Sequence, residues 1–208
     1  MKIIHPEPIN AIIFDLGNVI IDLDIEATTI AFQNIYGLDY EENMAKLEAK
    51  QVFAKYETGH ISTQTFLNEL SAFDDAISFD EIKNAWNAML LDIPEENYKI
   101  LLNVKKSYKT FCLSNTNKLH IDFIYKQLKI DKGISNLDNY FEKVYLSHEM
   151  GKRKPNVDIF EELIKNHQLD PNTTVFIDDT ADHLEGAKQA GLHTIHMTEE
   201  LSLSSLFK

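Results

Sequence analysis

The chain has 208 residues, of which 44% are apolar and 25% charged, and its 33 acidic and 20 basic residues give a formal net charge of −13. These proportions are typical of a folded acidic protein and exclude a disordered acidic tail. The excess of acid argues against nucleic-acid binding, which needs clustered Lys and Arg. A single cysteine, Cys112, excludes an internal disulfide.

The N-terminal residues contain no apolar run of signal-peptide length. The most apolar stretch, residues 11–21, is interrupted by Asp15 and is too short to span a bilayer. These observations predict a cytoplasmic protein that has neither a membrane nor a nucleic acid as a partner.

Five short segments rich in β-branched or aromatic residues predict strands at residues 11–14, 110–113, 143–146, 174–177 and 193–197. Because helical patterns separate most of them, the predicted fold class is α/β, with a Rossmann-like parallel sheet. About ninety residues separate the first two strands, far more than one crossover connection needs. The sequence therefore predicts an insertion after the first strand.

The inserted segment has a helical pattern. Helices are predicted at residues 25–36, 41–56 and 62–73, and Ser78 and Glu81 form the capping-box signature that opens another. A helix starting at Pro94 leads directly into the second strand and is assigned to the core. The predicted division is an α/β core of residues 1–22 and 92–208 and a helical cap of residues 23–91.

Polar side chains follow the predicted strands. Asp15 follows the first strand, Ser114 the second, and the pair Asp178 and Asp179 the fourth, while Lys154 precedes Pro155 and an amphipathic helix. In parallel sheets, ligands bind beyond these carboxyl ends. Alone, Asp15 also fits a capping residue, Ser114 a polar turn and Lys154 a solvated charge run, but adjacent carboxylates repel unless a cation joins them.

Taken together in this order, the four elements resemble the haloacid dehalogenase superfamily of hydrolases, most of which are magnesium-dependent phosphatases. The resemblance covers nearly the whole chain and includes a small helical cap after the first motif. The phrases at residues 14–20, 59–62, 113–117 and 184–187 are similar to those of bacterial α-D-glucose-1-phosphate phosphatases.

This resemblance implies a set of catalytic and substrate-binding residues. Asp15 is the nucleophile that forms an aspartyl-phosphate intermediate. Ser114 and Asn115 hydrogen-bond the phosphoryl oxygens, and Lys154 neutralises the charge that the phosphate shares with the nucleophile.

The resemblance also implies a Mg²⁺ site. Asp15, the backbone carbonyl of Gly17 and Asp179 are the implied ligands, with Asp178 as a further ligand or as a partner behind them. All four offer oxygen atoms, which Mg²⁺ prefers.

The chain departs from the superfamily pattern at two positions. Gly17 occupies the place where most of these phosphatases carry an acid/base aspartate, a group typically worth about 10²–10⁴ in rate. A substrate with a more acidic leaving hydroxyl, such as an anomeric phosphate, would compensate, and Asp22, Asp24 and His60 are candidate replacements. The second departure is His183, where many relatives carry Asn or Asp, and a protonated His183 would weaken metal binding at mildly acidic pH.

The expected function is therefore Mg²⁺-dependent hydrolysis of a small phosphorylated metabolite, a sugar phosphate. A haloacid dehalogenase is one alternative, although the Asp178 and Asp179 pair argues against it because that chemistry needs no metal. A non-catalytic phosphate-binding protein is another, supported by Gly17 and opposed by Asp15, Ser114 and Lys154. The sequence does not identify the individual substrate or the oligomeric state.

Overall fold

A five-stranded parallel sheet forms the core of the computed structural model, which describes residues 3, 5–6, 8–198 and 200–207. Its strands are β1 (Ala11–Phe14), β2 (Lys109–Ser114), β3 (Lys143–Leu146), β4 (Thr174–Asp178) and β5 (His193–His196). They lie in the order β3-β2-β1-β4-β5, and every pairing is parallel. The predicted α/β fold class is confirmed.

Eleven α-helices lie within the described residues, and six of them fall between β1 and β2. In chain order they are α1 (Ile25–Tyr36), α2 (Tyr40–Ala49), α3 (Val52–Glu57), α4 (Thr63–Ser71), α5 (Phe79–Asn87), α6 (Glu95–Val104), α7 (Lys118–Lys132), α8 (Ser147–Met150), α9 (Val157–His167), α10 (Ala181–Gln189) and α11 (Leu203–Leu206). None of them is long and apolar enough to cross a bilayer.

Both faces of the sheet are covered, so the central strand β1 is apolar throughout. Its side chains alternate between the faces, as the period of two in a strand requires. Ile12 and Phe14 belong to an apolar cluster that includes residues of α6 and α7. Ala11 and Ile13 belong to a second cluster, with residues of α9 and α10. This two-sided burial fixes β1 and therefore the position of the residue that follows it.

Helices α1 to α5 pack around a third apolar cluster of their own, which includes Phe32, Phe66 and Trp86. The predicted capping box at the start of α5 is present, because Ser78 and Glu81 exchange side-chain to backbone hydrogen bonds. We refer to α1 to α5 as the helical layer. The predicted boundaries of a cap domain at residues 23 and 91 stay a prediction.

The predicted single helix over residues 41–56 is wrong. The structure has α2 and α3 there instead, separated by Gln51, whose φ of 56° is left-handed and breaks the helical path. The helix predicted to start at Pro155 starts two residues later, because Asn156 has an extended ψ of 131°. Lys154 is therefore not next to a helix N-terminus.

A buried hydrogen-bond network joins the helical layer to the core. Trp86 of α5 donates from Nε1 to Oδ1 of Asn117 (3.2 Å), and its carbonyl accepts from Nε2 of His120 (3.0 Å). Nδ1 of His120 then accepts from the Asn117 amide (3.2 Å). A neutral imidazole satisfies every one of these bonds, so the network holds α5 against α7.

Candidate active site

The predicted site residues meet at the carboxyl edge of the sheet. Asp15 directly follows β1, and its backbone N–H donates to the carbonyl of Ile177 in β4 (2.9 Å). Ser114 is the last residue of β2 and is buried. Asp178 is the last residue of β4, so three neighbouring strands place polar side chains side by side.

Lys154 is completely buried between the carboxylates of Asp15 and Asp178. Its Nζ lies 2.8 Å from Oδ1 of Asp15 and 2.7 Å from Oδ2 of Asp178. It also lies 5.2 Å from the centroid of the Phe176 ring, within cation-π distance. A buried ammonium costs several kcal/mol unless it is paired, and here two carboxylates compensate it.

The three groups have shifted pKa values. Burial raises the pKa of Asp15 to about 7, although the charge of Lys154 opposes the rise. Burial also acts to raise the pKa of Asp178, but the hydrogen bond from His183 and the charge of Lys154 outweigh it and lower that pKa. Burial alone would lower the pKa of Lys154, yet Asp15 and Asp178 together raise it. Asp15 is therefore the carboxyl group that would gain most from a further cation.

The carboxylate of Asp178 is buried and accepts hydrogen bonds from neighbouring residues. His183 Nδ1 lies 3.0 Å from its Oδ2, and the backbone N–H of Thr180 donates to its Oδ1 (2.8 Å). On the other side of the ring, Nε2 of His183 lies 3.4 Å from the amide of Asn115. His183 thus joins Asp178 to Asn115.

The side chain of Asn115 forms two hydrogen bonds with the backbone of Lys154. Its Nδ2 donates to the Lys154 carbonyl (2.9 Å), and its Oδ1 accepts from the Lys154 N–H (2.9 Å). This pair of bonds fixes the chain at the residue whose ammonium reaches Asp15. Contact between Asn115 and a phosphoryl group stays a prediction.

Asp179 points away from its neighbour. Its Oδ2 accepts from the Asn18 amide (2.9 Å), and it is more exposed than Asp178. Asp179 and Asn18 line a cavity of about 610 Å³ together with Asp22, Leu23, His196, Met197 and Thr198. The predicted pair therefore divides into one buried carboxylate that faces Lys154 and one that faces this cavity.

The donor atoms suit a magnesium ion at Asp15 and Asp179. In the described part of the chain, Oδ2 of Asp15 has no hydrogen-bond partner, because Leu16 N–H and Lys154 both contact Oδ1. Carboxylate and backbone carbonyl oxygens are the ligands that Mg²⁺ prefers. Asp15, Asp178 and His183 also lie within ligand spacing of one another, but the Lys154 ammonium already lies between the two carboxylates.

The three candidate replacements for the missing acid lie in different environments. Asp24 caps α1 by accepting from the Ala27 N–H (3.1 Å). His60 Nδ1 lies 2.6 Å from the Thr58 hydroxyl, and its side chain lines a separate cavity. Asp22 is the one of the three that lines a cavity together with a predicted metal ligand, Asp179.

Two residues with a role in this arrangement were not singled out in the sequence. Asn18, which orients Asp179, has a left-handed φ of 52°. The dipeptide of Gly17 and Asn18 indicates such a turn, because Asn tolerates this conformation. Glu57, at the end of α3, forms an ion pair with Arg153 (3.2 Å), and nothing in its local sequence indicates that long-range contact.

The chain is similar to proteins of known family and activity. Residues 9–191 match the family model described as haloacid dehalogenase-like hydrolase. Over 187 residues the chain is 29% identical to a D-ribitol-5-phosphate phosphatase of Bacteroides thetaiotaomicron, covering 89% of this chain and 90% of that protein.

Solved structures are also similar. A HAD family enzyme from Bacteroides thetaiotaomicron, in complex with magnesium and inorganic phosphate, has a TM-score of 0.86 and 32% identity, covering 96% of this chain and 100% of that one. The L-2-haloacid dehalogenase of Xanthobacter autotrophicus has a TM-score of 0.57 at 16% identity, covering 92% of this chain and 80% of that one. This second likeness extends to the fold alone.

Proposed function

Because the chain belongs to the haloacid dehalogenase-like hydrolase family, we propose that it hydrolyses a small sugar or polyol phosphate with the help of Mg²⁺. The predicted enzyme class, a phosphoric monoester hydrolase, is confirmed by the family match and the phosphatase relative. The observation that supports the proposal most directly is the buried Lys154 between Asp15 and Asp178. A rigid cation beside a carboxylate nucleophile suits an anionic substrate.

Asp15 is the proposed nucleophile. Its free oxygen Oδ2 would attack phosphorus, forming an aspartyl-phosphate while the bond from phosphorus to the substrate oxygen breaks. The leaving alcohol takes up a proton, and a water molecule then cleaves the aspartyl-phosphate and gives up a proton. One water is consumed overall, and the carboxylate is restored.

Lys154 and Ser114 are the proposed phosphoryl-binding residues. The ammonium of Lys154 is already oriented by Asp15 and Asp178, so it pays no reorganisation cost when charge develops in the transition state. Ser114, at the neighbouring strand end, would donate its hydroxyl proton to a phosphoryl oxygen. Asn115 keeps Lys154 in position through its backbone.

Asp15, the carbonyl of Gly17 and Asp179 are the proposed Mg²⁺ ligands, with Asp178 behind them as the partner of Lys154. When bound, Mg²⁺ would supply positive charge that offsets the repulsion between two anions. The raised pKa of Asp15 supports this assignment, because a nearby cation would keep that carboxyl ionised.

The similarity to a D-ribitol-5-phosphate phosphatase supports a polyol or sugar phosphate as the substrate class. The similarity of four sequence phrases to glucose-1-phosphate phosphatases supports an anomeric phosphate instead. Gly17 favours the latter, because an anomeric hydroxyl is the better leaving group when no general acid is present. We expect the helical layer, which lies in the chain between β1 and β2, to act as the cap that selects among these substrates.

The experiment is a panel of ribitol-5-phosphate, glucose-1-phosphate, other sugar phosphates and 2-haloacids, with and without Mg²⁺. Asp15→Asn should abolish phosphate release, whereas Asp131→Asn, a matched change at an exposed position of α7, should leave it intact. Retained activity in Asp15→Asn would refute the nucleophile. Haloacid turnover that survives a chelator would favour the dehalogenase, and phosphate binding without turnover of any ester would favour a binding protein.

A further inference from the structure

Three consecutive basic residues reach three different parts of the molecule. Lys152 forms an ion pair with Glu162 of α9 (2.8 Å). Lys154 reaches the two active-site carboxylates. Arg153, the only arginine of the chain, instead forms an ion pair with Glu57 of the helical layer (3.2 Å). The basic cluster therefore does not face the phosphate site as a unit.

The backbone around Glu57 is fixed to α8, which follows β3, and through it to the loop that follows β2. The hydroxyl of Ser147 lies 2.6 Å from the carbonyl of Glu57 and accepts from the N–H of Thr116 (2.9 Å). This carbonyl is at the end of a helix, where no helical partner remains for it. Two residues later, a Cβ on Gly59 would lie 2.2 Å from the carbonyl of His148, so only glycine permits this approach.

The ion pair of Glu57 and Arg153 is partly shielded from water. The side chain of Glu57 is 23% exposed and that of Arg153 is 37% exposed, so water screens the pair only in part. Burial raises the pKa of Glu57, while the charges of Arg153 and His183 oppose the rise. Glu57 thus lies within electrostatic reach of the network that holds Asp178.

We propose that Glu57 is a positioning residue for the reaction, which acts by holding Arg153 and thereby the segment that carries Lys154. Asn115, a residue of the core, hydrogen-bonds to the backbone of Lys154. Glu57, a residue of the helical layer, forms an ion pair with the preceding residue, Arg153. Two points of attachment define the direction in which the lysine side chain leaves the backbone. The inference rests on the proposed phosphatase function, and it makes α3 part of the phosphate-binding machinery.

The test compares Glu57→Gln with wild type in two measurements. Titration calorimetry with inorganic phosphate and Mg²⁺ gives the phosphate Kd, and the substrate panel gives kcat and KM. Since a misplacement of about 1 Å can cost about 10²-fold, we expect kcat/KM to fall by about tenfold to a hundredfold. The fall should be similar for every substrate, and the phosphate Kd should rise.

Glu69→Gln is the matched control, because Glu69 forms a comparable ion pair with Lys50 inside the helical layer (2.6 Å). It should leave both measurements unchanged. A purely structural role of Glu57 would reduce the folded fraction but not the Kd of the folded protein. An unchanged Kd in Glu57→Gln, or a loss that differs among substrates, would overturn the inference.

A double-mutant cycle gives a second test. If Glu57 acts through Arg153, then Arg153→Gln and the double variant should show the same loss as Glu57→Gln, whereas additive losses would refute the link. Failure of the proposed function looks different. In that case wild type binds phosphate but hydrolyses no ester, and the effect of Glu57→Gln on the phosphate Kd still decides the positioning role.

Discussion

Lys154 and Asp178 form an ion pair whose atoms lie 2.7 Å apart, and both side chains are entirely excluded from solvent. Such a pair contributes little net stability compared with apolar residues, but removing one partner leaves an uncompensated buried charge. The pair therefore makes folding and the chemistry of the site depend on the same two residues.

Lys154→Met, alone and combined with Asp178→Asn, should distinguish the effect of this ion pair on stability from its effect on activity. It would leave Asp15 and Asp178 facing each other without a cation, and we expect a loss of about 3–5 kcal/mol in the free energy of unfolding, measured by urea titration at pH 7. Adding Asp178→Asn should restore part of that stability but none of the activity. If the double variant is less stable than Lys154→Met, the buried repulsion is not the cause.

Asp178→Asn and Asp179→Asn should differ in how much they reduce the free energy of unfolding. Asp178→Asn removes a buried partner of Lys154, so we expect a loss of about 2–4 kcal/mol in unfolding free energy. Asp179→Asn changes a more exposed side chain and should alter stability by less than about 1 kcal/mol.

The apparent Mg²⁺ affinity, measured by titrating the activity of both variants with Mg²⁺, is the second quantity to compare. Asp179→Asn should weaken the apparent Mg²⁺ affinity by about tenfold or more, since even the loss of an outer partner typically costs that much. Equal stability losses in the two variants would contradict the division of roles between them.

Gly17→Asp tests the missing acid. A Cβ at Gly17 would lie 2.7 Å from Cδ1 of Leu23, the end of a side chain that can shift away, and Leu23→Ala would remove the contact altogether. In the double variant we expect kcat to rise by about 10-fold to 10²-fold for substrates with poor leaving groups, such as ribitol-5-phosphate. Glucose-1-phosphate should gain less, and an equal gain for both would contradict the leaving-group argument. Leu23→Ala alone is the control.

His120 should make stability depend on pH. Burial lowers its pKa to about 4, from an ordinary value of 6.5. Below pH 6.5 the unfolded chain binds a proton that the folded protein excludes, so stability should fall as the pH drops from about 6.5 to about 4. The full loss is about 3 kcal/mol.

Urea titrations across this pH range would measure the slope. His120→Gln should flatten it, because glutamine does not titrate but can still donate to the Trp86 carbonyl. Burial also lowers the pKa values of His148 and His167, and both remain in the variant, so their effects cancel in the difference. An unchanged slope would show that His120 is not the group responsible.

Local sequence patterns were sufficient to predict the sheet. The predicted bounds of β1 and β3 agree with the structure, those of β4 and β5 differ by one residue at one end, and those of β2 differ by one residue at each end. Apolar β-branched runs indicate buried strands directly, and a polar residue at their ends indicates the ligand-binding edge. The positions of Asp15, Ser114 and Asp178 followed from that logic, whereas the role of Lys154 followed from the family resemblance.

Backbone conformation and long-range contacts were harder to predict. The break at Gln51 needs a left-handed φ that glutamine does not signal. The different directions of Asp178 and Asp179 depend on Lys154 and Asn18, which are distant in sequence. The ion pair of Glu57 with Arg153 spans two layers of the fold, so no local pattern contains it.

Trp86 is the only tryptophan of the chain, and its indole stacks on the His120 ring at 5.0 Å while donating to Asn117 across the junction of the helical layer and the core. The tryptophan fluorescence of the protein therefore originates from one buried residue at the contact between these two layers. A shift of its emission maximum to longer wavelength on opening, or its quenching on protonation of His120, would report their separation without an attached label.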